Sequence, residues 1–269
     1  MADYTERHAE TLRSPETAKF HAYRIGQWLD GRRASEAKEV AAAIREDMAG
    51  HYAPATINRS LGALKKALRM AWERGQTTTD YSGLIRRLPE NNARTTTLTI
   101  EQVAHLADHA SEPVRAAIWI SLYTGCRRGE ILKLAKADIG DDTITIQAGN
   151  TKTLRTRTVP IIAPVRPWLK AIPLSINFEG LKSGFRRARE AAGMPDVTFH
   201  DLRRSCGTLL IRNGVSLQVV AQILGHSTTS VTERVYAHLA DDQVRQGLNV
   251  LAGLHQDLHQ KGKRPRRAA

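Results

Sequence analysis

The chain reads as mainly α-helical with one small antiparallel β-sheet, divided into two domains. Three observations predict this. Apolar residues recur at three- and four-residue steps through most of the 269 residues, strict alternation is confined to 143–146 and 155–162, and a Thr-, Gly-, Pro- and Asn-rich segment before residue 97 breaks the periodicity.

The first domain is expected at 1–92. Ser14 and Pro15 open a helix over 15–30 whose buried face would carry Phe20, Tyr23, Trp28 and Leu29, with Gly31 closing it. A second helix follows at 35–49, with Val40, Ile44 and Met48 at four-residue steps. After Pro54, the stripe Ile57, Leu61, Leu64, Leu68 and Trp72 predicts a long helix. Its other faces carry Asn58, Arg59, Lys65, Lys66 and Arg69, polar and mostly cationic side chains that are candidate contacts for an anionic partner. Residues 93–97 are polar and extendable, a linker that would let the two domains clamp a partner from opposite faces.

The second domain is expected at 98–260. Thr99 and Gln102 have the spacing of a capping box, and 116–126, AAIWISLYTGC, reads as a buried helix ending near Gly125. The alternating stretches TITI and RTRTVPII predict a hairpin around the turn GNTKTL. Helix returns at 177–192, where Phe178, Leu181, Phe185, Ala188 and Ala192 share a face before Gly193 and Pro195. A helix beginning near Phe199 brings His200 and Arg203 together on one side. The run Val219, Val220, Ile223, Leu224 ends at Gly225, so His226 stands on a corner. Ser230 and Glu233 then suggest a further helix carrying Tyr236 on its second turn. The stripe Val244, Leu248, Leu251, Leu254 and Leu258 predicts a C-terminal helix free to dock on a neighbouring copy, followed by a basic tail at 261–269.

Composition narrows the partner. A net charge of +13 points to a polyanion, and Arg/Lys doublets recur from 32–33 to 203–204. Aromatic residues make up only 5%, which disfavours binding of single strands by base stacking and leaves duplex DNA. Cys126 and Cys206 are far apart with no CxxC pair, so neither a disulfide framework nor a zinc site is expected. No run approaches a membrane span and the polar start MADYTERHAE lacks a signal-peptide core, so no membrane partner and a cytoplasmic location are expected.

Tyr236, Arg203, His200 and His226 together suit attack on a phosphodiester. Fixed cations hold its anionic oxygens while a phenol serves as nucleophile and leaves a covalent intermediate. HDLR at 200–203, LGHS at 224–227 and VYAHL at 235–239 resemble the tyrosine recombinase, or phage integrase, family. TGCRRGE at 124–130 matches that family's TGxRxxE pattern, which implies Arg127 as first active-site arginine and Glu130 as its support. NTKTLRTRTVPI at 150–161 matches the family's hairpin turn before an RxVP strand, which implies Lys152 as the active-site lysine.

The resemblance implies a helical core-binding (SAM-like) domain joined to a recombinase catalytic domain. It also implies site-specific recombination of duplex DNA through a 3′-phosphotyrosine and a Holliday junction, with neither metal nor ATP and no cofactor. The working form would be a homotetramer on paired recombination sites, docked through the C-terminal helix, with accessory DNA-bending or directionality proteins as further partners. About 92 residues before the linker leave little room for the additional arm-site domain of lambda-type integrases.

Each position taken singly has an ordinary alternative: a half-buried tyrosine, a helix-capping histidine, a turn lysine, a surface ion pair. Matching one reaction in order, they favour that reaction. Two alternatives stay open, a type IB topoisomerase using the same chemistry to relax DNA and a non-catalytic DNA-binding regulator on the same fold.

Overall fold

The computed structural model of the chain describes residues 1–90, 94–150 and 156–226, in two units, Met1–Ala93 and Arg94–Ala269. The first unit contains helices α1 (Pro15–Arg24), α2 (Ala37–Ala49) and α3 (Pro54–Glu73). Both α1 and α3 start on proline, whose missing N–H and fixed φ suit a first helical turn. Ile44 and Met48 of α2 meet Ile57, Leu61 and Leu64 of α3 in one core, as their four-residue spacing requires. A smaller cluster of Tyr4, Ala9, Ala18, Ala22 and Met70 fastens the N-terminal turns to α1 and α3.

Three expectations for this unit are corrected. Helix α1 ends at Arg24 and buries Ala18 and Ala22, while Phe20 and Tyr23 are 54% and 85% exposed. Small alanines let α1 lie close to α3, and the aromatic side of the helix faces out, where the Arg24 guanidinium sits 4.5 Å from the Phe20 ring centre and 4.6 Å from that of Tyr52. Trp72, at the end of the α3 stripe, is likewise exposed beneath Arg69. Asn58, a candidate DNA contact, is buried. Its amide donates to Leu88 O (2.9 Å) and Glu90 Oε1 (2.7 Å) and accepts from Leu88 N–H (2.7 Å), so it pins the segment after α3 and has no face left for a phosphate.

The second unit comprises α4 (Ile100–Asp108), α5 (Glu112–Thr124), α6 (Arg128–Ile131), β1 (Thr143–Ile146), β2 (Arg157–Pro160), α7 (Arg166–Leu169), α8 (Phe178–Ala191), α9 (Phe199–Arg212) and α10 (Leu217–Leu224). Helix α5, apolar nearly all round, is the centre, and α4, α6, α7, α8 and α9 all pack on it. The capping box at Thr99 forms, with Gln102 N–H donating to Thr99 Oγ1 and Thr99 N–H to Gln102 Oε1. Strands β1 and β2 pair antiparallel, Ile144 opposite Val159 and Ile146 opposite Arg157, and they turn Ile144, Ile146 and Val159 into the core. Leu181, Phe185 and Ala188 are the buried face of α8, with Phe185 edge-on to Phe199 at 5.2 Å. Phe178, expected on that face, is exposed under the Arg128 guanidinium, 3.8 Å away.

Arg94 is no free tether. Its Nε donates to both carboxylate oxygens of fully buried Asp201 at 3.0 Å, and Leu98 N–H donates to Ser205 Oγ, so the segment entering α4 is fixed to α9. Among the described residues no helix is long and apolar enough to cross a membrane. Lys152 and its turn, the Ser230–Glu233 cap, Tyr236, the 244–258 stripe and the 261–269 tail lie outside the described residues.

Candidate active site

The end of α5 sets the site. Gly125 terminates the helix at φ +63°, a conformation that glycine adopts without penalty, and a Cβ there would lie 2.5 Å from Leu224 Cδ2 of α10. The chain therefore turns sharply, with Cys126 N–H donating to Thr124 Oγ1 and Ser121 Oγ donating to Cys126 O. Arg127 emerges as the residue preceding α6. Glu130, three residues on and 2% exposed, closes back on it: Arg127 N–H donates to Glu130 Oε2 (2.9 Å) and Arg127 Nη1 to Glu130 Oε1 (2.7 Å).

Arg203 approaches from α9, 3% exposed, and its Nη1 donates to Gly125 O at 2.6 Å. Its Nη2 is buried with no hydrogen-bond partner among the described residues. Burial first, then the like charges of Arg127 and Arg157, push Arg203 down to about 9, which leaves it cationic at neutral pH. A buried guanidinium with an idle donor is a site wanting an anion.

His200 lies one turn before Arg203 on the same helix, and burial, then Arg203, Arg204 and Arg127, lower its pKa. Gly225 ends α10 at φ +63°, and His226 leaves that corner with its N–H donating to Ala221 O. His226 is lowered to about 4 by burial, then by Arg203, Arg127, His200 and Arg157. Its neutral ring thus belongs to the same positive cluster. A cleft of about 370 Å³ opens over Arg127, His200 and Arg203, lined also by Arg128, Phe178 and Thr198.

Of the positions expected from sequence, Arg127, Glu130, His200, Arg203 and His226 thus come together, whereas Lys152 and Tyr236 fall outside the described residues. On α3, Arg59 and Lys65 are exposed and Lys66 is half-buried. Arg69 is engaged by Glu73 and Asp80.

Two residues at the site escaped the sequence reading. Arg157 at the start of β2 donates from Nη2 to Glu130 Oε2 (2.9 Å), giving that carboxylate a second cation. Burial alone would push Glu130 up, but Arg157 and Arg127 hold its carboxyl below the ordinary range. Strand parity could have found it: Arg157 is two residues before Val159 and so shares its inward face. Asp201, inside HDLR, caps α9 by accepting from Thr198 N–H and Oγ1 and also pairs with Arg94 and Arg204. The Thr198-to-Asp201 spacing was the overlooked signal.

Residues 175–243 match the model of the phage integrase family. The chain is 27% identical over 273 residues to a tyrosine recombinase of Thermosipho africanus, an alignment covering 89% of this chain and 93% of the relative. It is 30% identical over 210 residues to the tyrosine recombinase XerC of Mesorhizobium japonicum, covering 66% of each. Among solved structures, a lambda integrase (75–356) dimer bound to a core site has the same fold, with a TM-score of 0.71 at 17% identity over 87% of this chain and 94% of that one.

Proposed function

The chain belongs to the phage integrase family of tyrosine recombinases, and on that premise we propose that it cuts and rejoins duplex DNA at specific sites through a covalent phosphotyrosine. The observation that carries the mechanism is the Arg203 guanidinium, buried with its Nη2 unpartnered among the described residues, whose charge bears on Arg127 and on two histidines of lowered pKa. In this reading Arg127 and Arg203 bind the two non-bridging oxygens of the scissile phosphate and hold the charge that grows as phosphorus becomes five-coordinate. Tyr236 Oη attacks phosphorus and the bond to the 5′ oxygen breaks. His200 takes the phenolic proton, Lys152 protonates the departing 5′ oxygen, and His226 donates a further hydrogen bond to the phosphate. A 3′-phosphotyrosine and a free 5′-hydroxyl result. The phosphoester linkage is conserved, so the 5′-hydroxyl of another strand can attack it and rejoin DNA without ATP.

Exchange of one strand and then the other between two duplexes passes through a Holliday junction, which requires paired sites and a tetramer assembled through the 244–258 stripe. Accessory DNA-bending or directionality proteins would set the direction of the exchange, whether integration, excision, inversion or dimer resolution. The place of action is the cytoplasm of a bacterial host.

Nicked suicide substrates built from the DNA flanking the gene test this directly, with wild type and Tyr236→Phe scored for a denaturation-resistant protein–DNA adduct. An adduct formed by wild type and lost in the variant supports the reading. Site-specific binding without an adduct would instead favour a regulator, and relaxed circles without recombinants a topoisomerase.

A further inference from the structure

Three arginines, Arg127, Arg157 and Arg203, bear on one another around one buried carboxylate, that of Glu130. The mechanism uses two of them. Arg157 is nearly buried on the inward face of β2, and its contacts run in two directions. Toward α6, its Nη2 donates to Glu130 Oε2 at 2.9 Å and lies 3.5 Å from Cys126 Sγ, the residue before Arg127. Toward α10, its side chain lies against Gly225: a Cβ at that position would stand 2.7 Å from Arg157 Cδ and 3.0 Å from its Nη1.

We propose that Arg157 is a positioning residue for DNA cleavage, holding Glu130, and through it Arg127, on one side and packing against the corner that presents His226 on the other. The inference rests on the recombinase reading of the site. The physical reason lies in how one carboxylate is shared. Glu130 Oε2 is taken by Arg157 and by the Arg127 backbone N–H, so only Oε1 remains for the Arg127 side chain, which it meets through Nη1 alone. Arg127 thereby keeps guanidinium N–H groups for a phosphate. Without Arg157, Glu130 is a buried anion with a single cation, its Oε2 held only by the Arg127 backbone N–H, and the carboxylate can turn toward the Arg127 guanidinium as a two-pronged partner. The phosphate would lose donors it needs most in the five-coordinate, doubly charged transition state. The corner at Gly225 would lose its support at the same time.

Single-turnover cleavage of the suicide substrate by Arg157→Gln, Arg157→Lys, Glu130→Gln and the Arg157→Gln/Glu130→Gln double variant tests this, alongside DNA affinity and thermal stability. We expect Arg157→Gln to cleave about ten- to a hundredfold more slowly at saturating protein, with DNA affinity unchanged within twofold. Arg157→Lys should recover part of that loss, because it can reach Glu130 but not fill both contacts. The double variant should be no slower than the slower single one, since the two residues act through one another. The His226 imidazole resonance supplies a readout that packing alone would not move: Arg157 is one of four groups, with Arg203, Arg127 and His200, whose charge opposes protonation there, so His226 should titrate at higher pH in Arg157→Gln. Wild-type cleavage rates in Arg157→Gln, or a loss that tracks weaker DNA binding or a lower melting temperature, overturn the proposal while leaving the recombinase reading intact. Failure of wild type itself to form an adduct on DNA it binds specifically overturns both.

Discussion

Arg203 holds a helix end with one terminal nitrogen and, in the proposed mechanism, would hold the scissile phosphate with the other. Nη1 caps Gly125 O, while Nη2 faces the site with no partner among the described residues. Arg203→Lys preserves the charge but loses the fork, so cleavage should slow about a hundred- to a thousandfold, measured as single-turnover adduct formation, as when a preorganised donor is removed from an oxyanion site. His226 carries a pH prediction. Its folded pKa of about 4 lies below the ordinary histidine value of about 6.5, so on acidification the unfolded chain takes up this proton first. Stability is therefore complete above about pH 6.5 and falls as pH drops toward about 4; the lowered values of His200 and His21 contribute with the same sign. Urea midpoints at pH 7 and pH 5 should differ more for wild type than for His226→Gln.

At the scale of elements, Gly225 shows how a turn is coupled to a strand that follows no local rule. Its left-handed backbone ends α10, and the space where a side chain would begin is occupied by Arg157 of β2. Gly225→Ala should destabilise the protein by about 1–2 kcal/mol from backbone strain, seen as a lower melting temperature, and should slow cleavage by displacing Arg157. The same scale shows where pattern reading failed. In α1 the larger side chains suggested the buried face, yet tight packing on α3 selected Ala18 and Ala22. In α3 local pattern puts the polar Asn58 on the surface, whereas its partners, Leu88 and Glu90, lie 30 and 32 residues away. In β2 the inward arginine has no local signal of its partner, because its carboxylate is 27 residues back in the chain.

For the whole molecule, the charge of +13 makes affinity for DNA depend on ionic strength. Log K should fall linearly with log salt, and the slope should flatten by about 0.9 for each phosphate contact removed. Arg59→Ala and Lys65→Ala test the exposed face of α3 in this way, with affinities measured across a salt series. An unchanged slope would remove those residues from the interface. Asn58→Ala should act through stability instead, because it leaves the partly buried Leu88 backbone groups without their side-chain partner.

What the sequence determined by itself was whatever is written in short-range chemistry. Periodicity gave the helical class, the two short strands and the ends of α5 and α10 at Gly125 and Gly225, because apolar spacing and left-handed glycine are local constraints. Ordered motifs selected Arg127, Glu130, His200, Arg203 and His226. Tertiary structure decided which charge meets which: among the described residues Glu130 pairs with Arg127 and Arg157 and not with nearby Arg128, Arg94 is tied to Asp201, and Arg203 keeps an unpartnered donor. Those pairings depend on burial and on chain segments up to 107 residues apart, and burial changes the strength and even the sign of an ionic interaction's net effect. Local spacing carries no information about either.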